Sequence, residues 1–422
     1  MSSKLPVLAV VYVLLSPNSA TAQTIPWPQW GGPYRNFKVA SPPLAESWPE
    51  AGPRTLWSRP LGDGYSAIVS DGSVLYTMYR KGGEEGAEET VIAVEAATGK
   101  TKWEHSYTAP LPSKMNPGHG PGPHATPLIA GGRLFTIGAS GKLRAFDKQT
   151  GQALWARDVY NEFGLKRVGM KTDRGFSSSP LAYKETVILP LGGPGQAVAA
   201  FDQEDGGVVW KNQDFELSPS SPVLIENGGE TQLVCFLATE VVGLDPESGE
   251  LLWSYGHEID YQINALTPVW GDDGLLFIST AYNGGSQMLR IPKPGTNKPV
   301  EQLWFTNRMK IHFGIAIRLG GIVYGSSGDF GPAFLTAIRA ETGEILARQR
   351  GLAKAQMIFA DGKFVMMAED GTLALVRPKE TGFEILSRAQ VFDSRSWTVP
   401  TLVGTTLYVR DRSSMMALDL SP

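Results

Sequence analysis

Leu143 to Trp155 reads LRAFDKQTGQALW, with apolar and polar residues alternating on both sides of Thr150-Gly151. Such alternation makes a half-buried strand. A glycine at the turn supplies the positive φ that tight hairpins often need. The stretch therefore predicts two antiparallel strands, the second ending in a large aromatic residue. The same pattern returns as VIAVEAATGKTKW (Val91 to Trp103), VAAFDQEDGGVVW (Val198 to Trp210) and VVGLDPESGELLW (Val241 to Trp253). In each, the turn glycine stands four residues before the tryptophan. MLRIPKPGTNKPVEQLW (Met288 to Trp304) is a copy with a longer turn. LTAIRAETGEILA (Leu335 to Ala347) and LALVRPKETGFEIL (Leu373 to Leu386) place Ala347 and Leu386 where the tryptophan would be.

Ahead of these motifs lies a second kind of hairpin, as in TPLIAGGRLFTIG (Thr126 to Gly138) and VPTLVGTTLYVRD (Val399 to Asp411). Each unit then holds four strands, A to D. From Trp57 onward, successive tryptophan-equivalent positions are 39 to 55 residues apart. That suits a propeller blade of four strands, which takes roughly 40–50 residues. The last unit stops at MMALDLSP, a C strand with nothing to follow it, and the first unit is preceded by the unmatched strand Arg54-Thr55-Leu56-Trp57. Pairing the two completes an eighth blade, and closing the ring removes exposed edges. The prediction is an all-β, eight-bladed propeller of four-stranded antiparallel blades spanning 54–422, closed by an N-terminal strand. Residues 23–53 precede it as a Pro- and Trp-rich extended arm, with Trp27, Trp30 and Trp48 pinning it across the ring.

The composition agrees. The chain has 422 residues, 48 of them Gly and 30 Pro, as many turns between short strands require, yet 42% are apolar. A net charge of −4 and the lack of any Lys/Arg run exclude a nucleic-acid footprint. At the start, Lys4 precedes the apolar run Leu5 to Leu15, which is too short for a membrane-spanning helix of roughly 17–25 residues. Ala20-Thr21-Ala22 follows the small-x-small rule, so residues 1–22 read as a signal peptide cleaved near Ala22. The expected product is a periplasmic or secreted monomer with no transmembrane span. The single cysteine, Cys235, lies in an apolar run, as expected of a buried strand residue.

The recurring ALD-x-x-TG-x-x-x-W pattern resembles the pyrroloquinoline-quinone-like repeat propellers, and the likeness covers Trp57 to Pro422. Trp27-Pro28-Gln29-Trp30-Gly31-Gly32-Pro33 also looks like the start of many secreted bacterial members. The resemblance implies that Trp57, Trp103, Trp155, Trp210, Trp253 and Trp304 dock between neighbouring blades. It also frames two functions, since the superfamily includes quinoprotein alcohol dehydrogenases and the non-enzymatic outer-membrane assembly protein BamB.

A–B and C–D turns share one face of such a ring and are mostly short here. D–A connections, on the other face, are long, and long loops on a rigid scaffold commonly carry function. The D–A face is thus the expected working face and the turn face the plain one. His119, His124, Arg174, Ser178, Ser221, Asn264, His312, Arg395 and Trp397 enter the inner strands there and are the candidates for a ligand site at the channel mouth. Ser and Thr at such positions also bond local backbone at strand starts. No metal site is expected, because His119 and His124 fall short of about four protein ligands. The acidic loop bearing Glu84, Glu85, Glu88 and Glu89 reads as a solvated surface loop.

A dehydrogenase would hold pyrroloquinoline quinone in the channel with Ca²⁺ and a carboxylate base. The adjacent cysteine pair of most such enzymes is missing, and no Glu, Asn and Asp set carries over by position. No catalytic residue is assigned and no cofactor is expected. The leading expectation is a binding or scaffold protein whose partner is another envelope or secreted protein, acting in outer-membrane protein assembly. A quinone-dependent alcohol or sugar dehydrogenase using Ca²⁺ is the alternative, and a polysaccharide or small-molecule binder the third.

Overall fold

The computed structural model describes residues 25–82, 87–111, 120–165, 175–328, 331–352 and 354–422. Eight four-stranded antiparallel sheets form the blades of a propeller, each ordered A-B-C-D. Blade 1 is Val69–Ser70, Val74–Lys81, Glu88–Glu95 and Thr101–Thr108. Blades 2 to 7 repeat the pattern in chain order. Blade 8 takes Thr401–Val403, Thr406–Arg410 and Ser414–Asp419 from the end of the chain and Arg54–Pro60 from its beginning. Arg54 faces Asp419 and Pro60 faces Ser414 in that last pairing. Arg410 strengthens the junction. Its buried guanidinium donates to the carbonyls of Met78 at 2.7 Å, Gly64 at 2.9 Å and Ser66 at 3.1 Å, all from blade 1 or the loop entering it.

Every C–D pairing carries a β-bulge at one place. Trp103, Trp155 and Trp210 stand opposite Ala93, Ala145 and Ala200 just before the shift, and Trp57 stands opposite Ala417. A small residue there leaves room for the indole, and the bulge turns the aromatic ring toward the next blade. In blade 7 the register places Ser387 opposite Leu375, and Leu386 falls in the bulge itself. The tryptophan-equivalent residue is therefore Ser387, one position beyond the expected Leu386. The bulge is common to all blades, but the blade 7 hairpin is longer, with 12 residues from Leu375 to Ser387 against 10 from Ala93 to Trp103, so counting from the turn glycine misses the position.

The tryptophans join blades. Trp57, Trp103, Trp155, Trp210 and Trp304 donate their indole N–H to the carbonyls of Ala96, Lys148, Gln203, Pro246 and Ala340, each in the C–D turn of the following blade. Trp253 differs and donates to Gln232 Oε1 of its own blade at 2.8 Å. The turn of the next blade, between Gly285–Arg290 and Glu301–Thr306, is longer than the C–D turns that receive the other indoles. Trp253 still packs against Leu276, Ile278 and Leu289 of blade 5.

The arm crosses the turn face. Trp27 exchanges two backbone hydrogen bonds with Ser70 of blade 1, and Val39 N–H donates to the Phe359 carbonyl of blade 7. Between these anchors Arg35 adopts φ +55° and is 5% exposed. Its guanidinium donates to the carbonyls of Pro222 at 2.6 Å, Ser179 at 2.9 Å and Pro180 at 3.0 Å, and to Gln29 Oε1 at 3.2 Å. Burial pushes the Arg35 pKa down to about 9, so the group stays charged at neutral pH and its four acceptors offset the lost hydration. The arm thereby spans the channel on the turn face. That face is not plain, since a hollow of about 580 Å³ opens there beside Tyr34, Lys38 and Trp270. No helix among the described residues is long and apolar enough to cross a membrane.

Candidate functional site

On the D–A face the inner strand entries converge on a cavity of about 200 Å³. Four of the expected residues line it: His124, Ser221, His312 and Trp397. Three others do not. Asn264 is fully buried as a bracket, donating to the carbonyls of Leu237 and Ala238 and accepting from the Thr280 hydroxyl. Ser178 is 2% exposed and outside the lining. Arg395 stands behind the wall, its guanidinium carbon 4.6 Å from the Trp397 ring centroid. His119 and Arg174 lie outside the described residues, as do the signal segment with its cleavage near Ala22 and the acidic-loop residues Glu84 and Glu85.

The serine entries serve the scaffold as well. Ser221 Oγ accepts the Ser179 N–H of the preceding blade at 2.9 Å, and Ser179 Oγ accepts the Thr126 N–H of the blade before that at 3.0 Å. These bonds reach the neighbouring blade rather than local backbone, so they tie together the inner-strand entries of blades 2, 3 and 4.

Phe313, in the same strand entry as His312, also lines the cavity, whereas sequence reading missed four aromatic or amide contributors: Trp30, Tyr65, Tyr282 and Gln356. Tyr65 precedes the inner strand of blade 1, as Ser177 precedes that of blade 3, so aligning the first blade's entry with the rest would have found it. Trp30 comes from the arm and donates its indole N–H to Thr267 Oγ1 at 2.8 Å, a placement no repeat pattern encodes. Trp397 is oriented by donation to Glu369 Oε2 at 3.1 Å, and Tyr282 and His312 Nε2 are hydrogen-bonded at 2.5 Å. Burial pushes the Tyr65 hydroxyl up to about 12, outweighing the opposing charges of Arg412 and Arg395.

Glu89 departs from the expectation of a solvated loop. It is fully buried, accepts from Arg80 at 3.0 Å and Tyr107 at 3.1 Å, and takes the Ala139 N–H at 2.9 Å. The strand Glu88–Glu95 begins inside the expected loop and turns Glu89 inward. Burial raises its pKa, against the pull of Arg80. The group clamps blade 1 to blade 2.

The described lining of the cavity does not fit pyrroloquinoline quinone with Ca²⁺. That quinone carries three carboxylates and calls for cationic partners, and Ca²⁺ calls for clustered anionic oxygens. No Asp, Glu, Lys or Arg is among the described lining residues. No group of three or more His, Cys, Asp or Glu is placed to hold a metal among the described residues.

A family model described as outer membrane protein assembly factor BamB matches residues 49–193 and 87–349. No curated protein sequence matches the chain. BamB from Moraxella catarrhalis is similar in structure, with a TM-score of 0.59 at 18% identity over 87% of this chain and 98% of that one. Quinohemoprotein alcohol dehydrogenase from Comamonas testosteroni gives a TM-score of 0.63 at 14% identity over 94% of this chain and 80% of the enzyme. A europium-containing methanol dehydrogenase gives 0.62 at 13% identity, covering 93% and 89%. Likeness at these identities speaks for the fold and leaves function to the site.

Proposed function

The chain belongs to the family described as outer membrane protein assembly factor BamB, and from that membership we propose that it is a binding or scaffold protein of the cell envelope that supports outer-membrane protein assembly. The observation that carries this reading is a row of exposed apolar side chains on the outer strands of four consecutive blades. Leu154, Val209, Leu252 and Phe305 are 44%, 53%, 44% and 50% exposed. Each offers a partner an apolar foothold beside a strand edge. An outermost strand also has one unpaired backbone edge, which can pair with an extended partner. Export to the periplasm by a signal peptide cleaved near Ala22 is part of the proposal.

Photo-crosslinkers at Val209 and Phe305, with Glu384 on the outer strand of blade 7 as control, test it in cells. The expected result is capture of outer-membrane assembly components from the first two positions and not from the control. Equal capture at all three, or none, overturns the reading. The dehydrogenase alternative finds no fitting set of donors among the described residues of the channel mouth. Titration with pyrroloquinoline quinone and Ca²⁺ should give no saturable binding, and stoichiometric binding with dye reduction by an alcohol would favour the enzyme instead.

A further inference from the structure

The channel-mouth cavity is bordered by an unbroken arc of rings. From Tyr261 the ring centroids step 4.7 Å to Tyr282, 4.9 Å to His312, 4.7 Å to Phe313 and 4.5 Å to Trp397. The arc continues 5.2 Å to Tyr65 and 5.9 Å to His124. All but Tyr261 line the cavity, and Trp30 joins them from the arm.

Three properties of this wall select a ligand. The first is size. The cavity measures about 200 Å³, and an apolar cavity of about 150 Å³ holds one benzene. One substituted ring or a fused pair of rings fits. The second is charge. With no Asp, Glu, Lys or Arg in the described lining, an ion would lose its hydration and find no counter-charge in contact with it, since Arg395 and Arg412 stand behind the Trp397 and Tyr65 rings. The third is hydrogen-bonding capacity. The Ser179 and Ser221 hydroxyls each accept one backbone N–H and keep only their own O–H to donate, His312 Nε2 is held by Tyr282, and Gln356 Nε2 donates to the Phe313 carbonyl. Gln356 Oε1, on a lining residue, has no hydrogen-bond partner among the described residues. A sugar would bury several hydroxyls with too few partners, at a cost of roughly 1–3 kcal/mol for each polar group left unpaired. A flat ring with one polar substituent would not.

We infer that the channel mouth binds a small uncharged aromatic molecule, one ring or a fused pair with a single hydrogen-bonding substituent, stacked among Trp397, Tyr65 and Phe313. This site is independent of the outer-strand docking surface. Calorimetric titration of the full chain with p-cresol and with indole tests it, with benzoate and methyl glucoside as charged and sugar-like counterparts. Saturable binding of p-cresol or indole is expected, at least roughly tenfold tighter than either counterpart. Ala265→Leu, which fills the cavity, and Trp397→Ala, which removes a wall, should each weaken it by roughly tenfold or more. Trp270→Ala, on the turn face, should leave it unchanged. Absence of saturable binding by both rings overturns the inference. So does benzoate or methyl glucoside binding as tightly, or unaltered binding in Ala265→Leu. Should Trp397→Ala not melt cooperatively, Ala265→Leu decides alone.

Discussion

Trp57 lies flat against Gly99 of the next blade, its ring 2.6 Å from where a Cβ on that glycine would sit, while its indole N–H donates to the Ala96 carbonyl at 2.9 Å. The pair joins the strand that completes blade 8 to the C–D turn of blade 1. Gly151 and Trp103, Gly206 and Trp155, Gly249 and Trp210, and Gly343 and Trp304 repeat it around the ring. The turn glycine thus has two duties, a positive φ and a bare face for a neighbour's indole.

Gly99→Ala should incur both penalties. At φ +70° the new side chain strains the backbone, and its Cβ meets the indole. A loss of about 2–4 kcal/mol is expected by urea denaturation. Gly132→Ala makes the comparison, since its φ is +81° with nothing within 4 Å. It should cost only about 1 kcal/mol, the backbone share. Equal losses would show that the indole contact contributes nothing.

Arg35→Ala should release the arm. Three strand-entry carbonyls would lose a charged donor, costing about 3 kcal/mol. Limited proteolysis should then cut within residues 25–48 at least several-fold faster. Arg35→Lys should rescue it poorly, because an ammonium cannot fork toward carbonyls of two blades. Wild-type proteolysis rates in Arg35→Ala would mean that the arm is held elsewhere.

Glu89→Ala should cost about 3–5 kcal/mol, because it leaves Arg80 charged and buried without its carboxylate. A double-mutant cycle with Arg80→Ala should show coupling of about 2 kcal/mol. Additive losses would indicate that the pair does not act as a unit.

His257 predicts how stability falls in mild acid. It is buried against Phe236 and hydrogen-bonded to Thr280 and Gln287, and burial lowers its pKa from 6.5 to about 4. Between those values the unfolded chain binds a proton that the folded protein refuses. Its contribution is therefore fully present above pH 6.5 and is lost as pH falls toward 4, by up to about 3 kcal/mol. His105, also lowered by burial, adds a loss of the same sign. Comparing wild type with His257→Gln over pH 4–7 isolates the larger share. Parallel curves would refute it.

Deleting residues 54–60 should abolish cooperative unfolding rather than remove one unit, since Ser414–Asp419 would lose its edge partner and blade 1 the Trp57 contact. A sharp calorimetric transition in the truncated chain would contradict this.

Sequence alone carried the eight-bladed ring, because each blade repeats the same local demands: alternation for the strands, a glycine for the turn, a tryptophan for the neighbour. It also placed His124, Ser221, His312 and Trp397 at the mouth, since residues entering inner strands must converge on the axis. The tertiary structure decided the rest. Asn264 stands at the same kind of entry, yet its amide is taken up by the Leu237 and Ala238 carbonyls, which come from the preceding blade. Glu89 sits in an acidic run but faces Arg80, a partner set by strand register. Arg35 and Trp30 belong to no repeat. Their positions follow from where a non-repeating arm crosses a ring that must first be closed, and local sequence rules carry no information about that distance.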